Sequence, residues 1–341
     1  MKKTAIFILM LIVVGASVLP AMDKAQTDAW IATQNEKNLQ ARFDKLEEYY
    51  KTYGDKDERN AIYMYLNLAN DSYQLQQFEK TILYGEKVLL YKDIEAQNKL
   101  RMYLALANAY NLTKKDIDKG YSYADLVIVM AKAMRVEGEN NASIDTNFIA
   151  PALRIQVQML AAKPEDPQNA VTAFNKSLEA YQLDKSDKSA NFVLVFSERM
   201  LKNQRVEDAI RGIEAVNQNK PNSEYYKMLG MWYARLKNQD KAIENLKASY
   251  QMKKNAKVAY DLGVLLNKTD IDGAMDYLAE SNLLNDEKYS ADALKLLQQL
   301  LLYEKTKGQT PVEQEKAFNA IMAAAKARLA PPTPAPASDT K

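Results

Sequence analysis

Two stretches of this chain carry the same residues in the same register. Leu229, Gly230 and Tyr233 are followed by Ala242 and Leu246, and thirty-three residues after the first set Leu262, Gly263 and Leu266 are followed by Ala274 and Leu278. A third copy lies upstream, with Val193, Phe196, Ser197 and Met200, then Ala209 and Ile213, and Pro221 closing it. Earlier copies are looser. Tyr103, Leu106, Ala107 and Tyr110 lead to Gly120 and Ala124, while Tyr65, Leu68 and Ala69 lead to Phe78, Thr81 and Val88. Ala170 and Phe174 mark the second half of one more copy, whose first half spans about 145 to 162. This period constrains the fold more than any other feature. A unit of some thirty residues is one supersecondary element that cannot bury its apolar face alone and must stack on its neighbours.

The units read as helical. Apolar residues recur at three- and four-residue spacing, alternating β-branched runs are missing, and the ten glycines and ten prolines fall mostly between the periodic segments. Glycine inside a helix costs roughly 1 kcal/mol against alanine. Its return at one register position, Gly230 and Gly263, therefore marks a place where backbones approach, with Ala242 and Ala274 opposite and Leu229, Leu246, Leu262 and Leu278 filling the space between.

Over about residues 58 to 285 the chain resembles the tetratricopeptide repeat family, whose pattern W-x2-L-G-x2-Y followed by A-x3-F matches the residues above. The resemblance implies an all-α, right-handed α-solenoid of about six helix pairs. It also implies that the first helix of each pair lines a groove, through the second, fifth, ninth, twelfth and thirteenth positions of each unit. Mapped onto this sequence, those positions give two stretches of different chemistry. The N-terminal one offers Tyr63, Asn70, Tyr73 and Gln74 with Arg101, Asn108 and Asn111, aromatic and amide groups suited to a peptide backbone. The C-terminal one offers Lys227 and Arg235 with Lys257, Tyr260, Asn267 and Lys268, a basic set suited to an acidic segment. The family's carboxylate clamp departs from this chain, because Met231 stands where an Asn is required and Asp261 where an Arg is.

Composition narrows the chemistry. The chain has no histidine and no cysteine, so triads with a His base, zinc sites of the usual ligation, haem and iron–sulfur sites of the common kinds and disulfides are excluded. No P-loop, dinucleotide fingerprint or nucleophile elbow is present, and no cofactor is expected. The Asp-rich turns fail the calcium-loop pattern: around Asp270, Asp272 and Gly273 the first ligand position is Lys268 and the last Ala279, and around Asp116 and Asp118 the fifth position is Gly120. Asp55 and Asp57 lack the glycine. These aspartates are expected to cap helices and turns.

The first 21 residues read as a secretory signal: Lys2 and Lys3, an apolar run from Ala5 to Val14, then Gly15, Ala16, Ser17, Pro20 and Ala21. The mature protein is expected to be exported, periplasmic or secreted, with membrane contact only if this segment stays attached. Without it, 46 − 2 = 44 basic side chains face 44 acidic ones. That balance, with no long Lys/Arg block, argues against nucleic acid. Residues 22–57 form an N-terminal helical segment in which Leu39, Phe43, Leu46, Tyr50 and Tyr53 make a short heptad seam, a cap on the first repeat or a short coiled coil. Residues 58–329 form the solenoid, closed by helices over Ser290–Tyr303 and Val312–Leu329. Residues 330–341, with Pro331, Pro332, Pro334 and Pro336, form a disordered tail. The expected function is a non-catalytic scaffold of the cell envelope that binds a protein or peptide in its groove. The alternative is a structural protein that self-associates through the N-terminal helix.

Overall fold

The computed structural model describes residues 24–54, 57–136, 141–163 and 166–330. The expected signal segment, Asp55 and the tail beyond Ala330 lie outside them. Among the described residues every regular element is a helix, and no helix is long and apolar enough to cross a membrane. The chain divides into two compact units, residues 1–159 and 160–341.

Unit 1 runs through α1 (Lys24–Asn35), α2 (Leu39–Tyr53), α3 (Ala61–Gln74), α4 (Phe78–Val88), α5 (Ala96–Thr113), α6 (Ile117–Ala133), α7 (Ala142–Ile144) and α8 (Ala150–Ala161), whose last turn crosses the unit boundary. Unit 2 holds α9 (Pro167–Leu183), α10 (Asp187–Lys202), α11 (Val206–Asn219), α12 (Ser223–Arg235), α13 (Gln239–Met252), α14 (Ala256–Leu266), α15 (Ile271–Leu283), α16 (Ser290–Leu300) and α17 (Pro311–Leu329). Consecutive helices pack as pairs joined by short turns, and each pair stacks on the next within its unit, the α-solenoid class the repeat implies. Helix starts are set by side chains. Asn38, Asp116, Asp166, Ser186, Asn222, Asn238, Asn255, Asp270 and Thr310 each accept a backbone N–H of the first turn. Asp116 and Asp270 are thus caps, as expected; Asp272 instead meets Lys305 at 2.9 Å.

The glycines sit where the register places them. A Cβ on Gly230 would lie 2.5 Å from Leu246 Cγ and 3.1 Å from the Ala242 carbonyl oxygen. On Gly263 it would lie 2.5 Å from Leu278 Cγ and 3.2 Å from the Ala274 oxygen. Contacts below 3.0 Å cannot be held without a shift, so α12 meets α13, and α14 meets α15, as closely as two helix backbones allow.

Two features were not expected. The N-terminal segment is two helices, because Asn38 takes an extended conformation and accepts from Ala41 N at 3.0 Å, while Glu36 accepts from Asn38 N at 3.0 Å. The heptad seam does not remain free for a coiled coil: Phe43 and Leu46 are fully buried where α2 packs on α3. Arg42 there forks onto the buried Asp71, at 2.7 Å from Nε and 2.5 Å from the terminal nitrogen. Secondly, a π turn, Asp145–Ile149, joins α7 to α8. Pro151, two residues after it, lacks the N–H that an α-helix would direct to Asn147, and Ala150 N–H reaches back to the Asp145 carbonyl.

Candidate functional site

The N-terminal candidate residues all lie on α3 and α5, one helix of each stacked pair, but they separate into two kinds. Tyr63 is 54% exposed, and Asn70, Gln74 and Arg101 also face solvent. Tyr63 and Arg101 occupy the same register position, thirty-eight residues apart, as Ala69 and Ala107 do. The others are engaged within the protein. Asn108 Nδ2 donates to the Tyr73 hydroxyl at 2.8 Å, tying α5 to α3, and Tyr73 also meets Phe78 edge-on at 6.0 Å. Asn111 is 3% exposed; it donates to Gln158 Oε1 at 2.7 Å and accepts from Lys114 Nζ at 3.1 Å. Tyr73, Asn108 and Asn111 are therefore engaged between helices, while Tyr63, Asn70, Gln74 and Arg101 stay exposed.

A second set of bonds stitches the other helices of unit 1 and was not read from the sequence. Glu47 on α2 accepts from Lys80 Nζ at 2.7 Å and the Tyr84 hydroxyl at 2.9 Å, both on α4. One pair later, Glu86 on α4 accepts from Lys119 Nζ at 2.8 Å and the Tyr123 hydroxyl at 2.8 Å, both on α6, and from Tyr110 on α5 at 2.9 Å. In both cases the lysine follows the acid by thirty-three residues and the tyrosine by thirty-seven. That recurrence is the signal in the sequence, and it lies outside a register anchored on the small residues. Burial works against both carboxylates, but the lysine and tyrosine hydrogen bonds outweigh it and hold each below the ordinary carboxylate range. The Tyr84 and Tyr123 hydroxyls are pushed up, first by burial and then by the carboxylate they donate to. Tyr49, buried beside Asp57, is pushed up to about 12 for the same reasons.

In unit 2 the candidate residues lie on or just after α12 and α14, and their charge is partly cancelled in place. Lys227 pairs with Glu224 one turn earlier. Lys257 Nζ lies 2.5 Å from Asp261 Oδ2 and 5.6 Å from the centre of the Tyr289 ring, with Met231 Sδ at 3.9 Å. Met231 and Asp261, the two departures from the clamp pattern, thus both stand against Lys257. Tyr260 is half-buried and tilts onto Tyr289 at 5.9 Å. Asn267 ends α14, and Arg235 and Lys268 face solvent. The stretch is less basic than its lysines suggest, since Glu224 and Asp261 lie on the same helices as the cations they neutralise. Among the described residues no three acidic side chains come together as metal ligands.

No protein-family model matches the chain, and no curated protein matches it in sequence. Among solved structures it is similar to a tetratricopeptide repeat protein from Parabacteroides merdae, at 11% identity over 81% of this chain and 99% of that one, with a TM-score of 0.38. It is similar to the C-terminal part of a repeat protein of that family from Cytophaga hutchinsonii, at 12% identity over 86% and 99%, TM-score 0.43. It is also similar to the TPR2AB domain of yeast Sti1 in its pHSP90 complex, at 12% identity over 81% and 93%, TM-score 0.38. The character of the chain rests on its own helix pairs and on the glycines and alanines at which they meet.

Proposed function

We propose that this chain, built of tetratricopeptide-type helix pairs, is a non-catalytic scaffold that binds a protein or peptide segment across its first helices. The observation that carries this reading is the row Tyr63, Asn70 and Arg101, an aromatic ring, an amide and a guanidinium facing solvent on helices whose spacing the Tyr73–Asn108 bond fixes. An exposed ring and a guanidinium at the same register position of successive pairs offer stacking area and a carboxylate fork, and the amide offers both a donor and an acceptor to a peptide backbone. A surface whose spacing is already set loses little freedom on binding. In unit 2, Arg235 and Lys268 favour an acidic partner segment. The lack of His and Cys, and the hydrogen bonds that occupy the buried Asp57, Asp71 and Glu280, support a binding role over a catalytic one. The basic, apolar and small-residue order of residues 1–21 supports export to the cell envelope.

The test is capture from envelope extract by the chain from residue 22 onward, in parallel with Tyr63→Ala/Arg101→Glu. Aromatic and arginine anchors each contribute more than about 1 kcal/mol at such surfaces, so a partner held by the wild type should fall roughly tenfold or more on the double variant. Equal recovery by a double variant with wild-type helical content would overturn the reading.

A further inference from the structure

Three cations of unit 2 stand at one register position. Lys202, Arg235 and Lys268 each follow by five residues the small residue at which a first helix meets its partner, Ser197, Gly230 or Gly263, and they recur at thirty-three-residue spacing. Lys202 and Arg235 are the last residues of α10 and α12, and Lys268 comes two residues after α14. Five residues at about 100° each set the row roughly 140° around the helix from the side that meets α11, α13 or α15. Lys268 keeps that direction because Asn267 retains helical backbone angles past the end of α14. All three are exposed, and among the described residues none of them meets an acid. Lys227 and Lys257, nearer the starts of α12 and α14, are instead held by Glu224 and Asp261.

An apolar strip runs beside the row. Met231 and Val264 stand four residues before Arg235 and Lys268, and Val195 and Met228 seven residues before Lys202 and Arg235. Val195 is 43% and Val264 39% exposed, and the two methionines are half-buried. Lys257 Nζ, at 3.9 Å from Met231 Sδ, shows α14 lying against α12 on this side. Two acids come near the row in sequence. Asp270, two residues after Lys268, is taken up by capping α15 through Gly273 N at 2.9 Å. Glu198, one turn before Lys202, leaves one negative charge against three positive ones. Nor does the end of such a helix require a cation to complement its dipole, because in unit 1 the same register position holds Gln74 after Ala69 and Leu112 after Ala107, both exposed.

We infer that this row seats an extended acidic segment of a partner protein, in the polyproline II conformation, with a carboxylate at every third residue. The inference rests on the binding role of the first helices and names the partner's chemistry in unit 2. Two spacings carry it. Packed helix axes stand about 8–10 Å apart, so a row with one cation per first helix repeats at about that distance. A polyproline II chain has three residues per turn and rises about 3.1 Å per residue, so residues i, i+3 and i+6 share one face at intervals of about 9 Å. A β-strand repeats its face at about 7 Å and turns i+3 to the opposite side. In an α-helix, side chains three or four residues apart are only about 5–6 Å apart. Polyproline II thus matches the row in both distance and direction, and its two spacer residues per turn fall on the apolar strip.

Two labelled peptides of identical composition, blocked at both ends, test it by fluorescence anisotropy. One repeats Glu-Pro-Ala three times; the other places the same three glutamates side by side ahead of the prolines and alanines. The chain from residue 22 onward, which keeps every described helix, should bind the spaced peptide roughly tenfold more tightly, a difference of about 1.4 kcal/mol. That advantage should shrink as salt rises. The triple variant Lys202→Gln/Arg235→Gln/Lys268→Gln changes only exposed side chains, so it should keep wild-type helical content and lose the preference. Equal affinity of the wild type for the two peptides, no binding of either, or a preference that survives in the triple variant would each overturn the inference. Capture through Tyr63 and Arg101 is read separately in envelope extract, so a failure of the row leaves that reading standing, and the reverse holds as well.

Discussion

Gly230→Ala turns the close meeting of α12 and α13 into a measurable quantity. In an open helix this substitution stabilises by about 1 kcal/mol, because alanine has the higher helix propensity. Here the added methyl meets Leu246 Cγ at 2.5 Å and Cδ2 at 2.8 Å, with the Ala242 carbonyl behind it at 3.1 Å. Leu246 is 1% exposed and has no open space to rotate into, and the carbonyl belongs to a helix. Overpacking of this kind costs about 1–3 kcal/mol. Set against the propensity gain, the net expectation is a loss of about 1 kcal/mol, with the sign opposite to that of an exposed helix glycine. Leu246→Ala alone should cost about 2–5 kcal/mol as a buried truncation. In that background, however, the clash is gone, so Gly230→Ala should become neutral or stabilising and the cycle should show a coupling of about 2 kcal/mol. The chain offers a local reporter. Its two tryptophans are Trp30 in α1 and Trp232 in α12, so urea unfolding of a Trp30→Phe chain, followed by fluorescence, reads unit 2 alone. A higher unfolding midpoint for Gly230→Ala with Leu246 in place would refute the reasoning.

Other substitutions probe the polar stitching of unit 1. Arg42→Ala leaves Asp71 buried without its guanidinium; because Arg42 is itself a third exposed, the expected loss is on the order of 2–3 kcal/mol rather than that of a wholly buried pair, read by chemical denaturation. Glu86 has its folded pKa held below the ordinary 4.5, so its contribution to stability is complete above that value and is lost as the pH falls through the folded pKa. Glu86→Gln should therefore flatten the decline of unit 1 stability below about pH 4.5, and an unchanged slope in acid denaturation would count against the assignment. Asn111→Ala should lower thermal stability by about 1–2 kcal/mol, since it strands the Gln158 amide, yet leave partner capture unchanged; loss of capture at full stability would return Asn111 to the binding face.

Some of this architecture is readable from the chain and some is not, for physical reasons. Gly230 and Gly263 are legible because close backbone approach admits few residues, so the approach leaves the same letter each time. Asn38 was hidden beneath a heptad seam. Leu39, Phe43, Leu46, Tyr50 and Tyr53 describe which face of α2 is apolar, and that pattern is the same whether the face meets a second copy or α3. The engagement of Asn111 is not legible in the sequence, because its partner Gln158 lies forty-seven residues away, past an irregular stretch that holds a π turn. Groove positions alone do not show that the lysines of unit 2 are paired, since their partners stand at other positions of the same helices. Glu224 and Asp261, three residues before and four after the lysines they meet, lie within one helical turn, where ion pairs form.

The same close meeting also explains why the repeat is sharp in unit 2 and loose in unit 1. What must be kept between the two helices of a pair is total volume, shared between the small position of the first helix and the residues facing it on the second. Where the first helix has Gly230 or Gly263, the second carries Leu246 or Leu278, four residues after Ala242 or Ala274. Where the first helix has Ala107, the corresponding residue is Ala124, four after Gly120; where it has Ala69, it is Gly85, four after Thr81. The backbone contact inverts with the residues. A Cβ on Gly230 would approach the carbonyl of Ala242, whereas one on Gly120 would approach the carbonyl of Ala107, at 3.5 Å. The α5 and α6 pair thus solves the same packing problem with the glycine moved to the other helix, which a pattern anchored on a first-helix glycine records as degeneracy. Gly230→Ala with Leu246→Ala would reproduce the Ala107 and Ala124 positions of that arrangement, with Ala242 in the place of Gly120. If volume is what the pair conserves, the double variant should lose less than Leu246→Ala alone, and a loss equal to the sum of the two single variants would mean that glycine itself, and not the shared volume, is what the meeting of α12 and α13 requires.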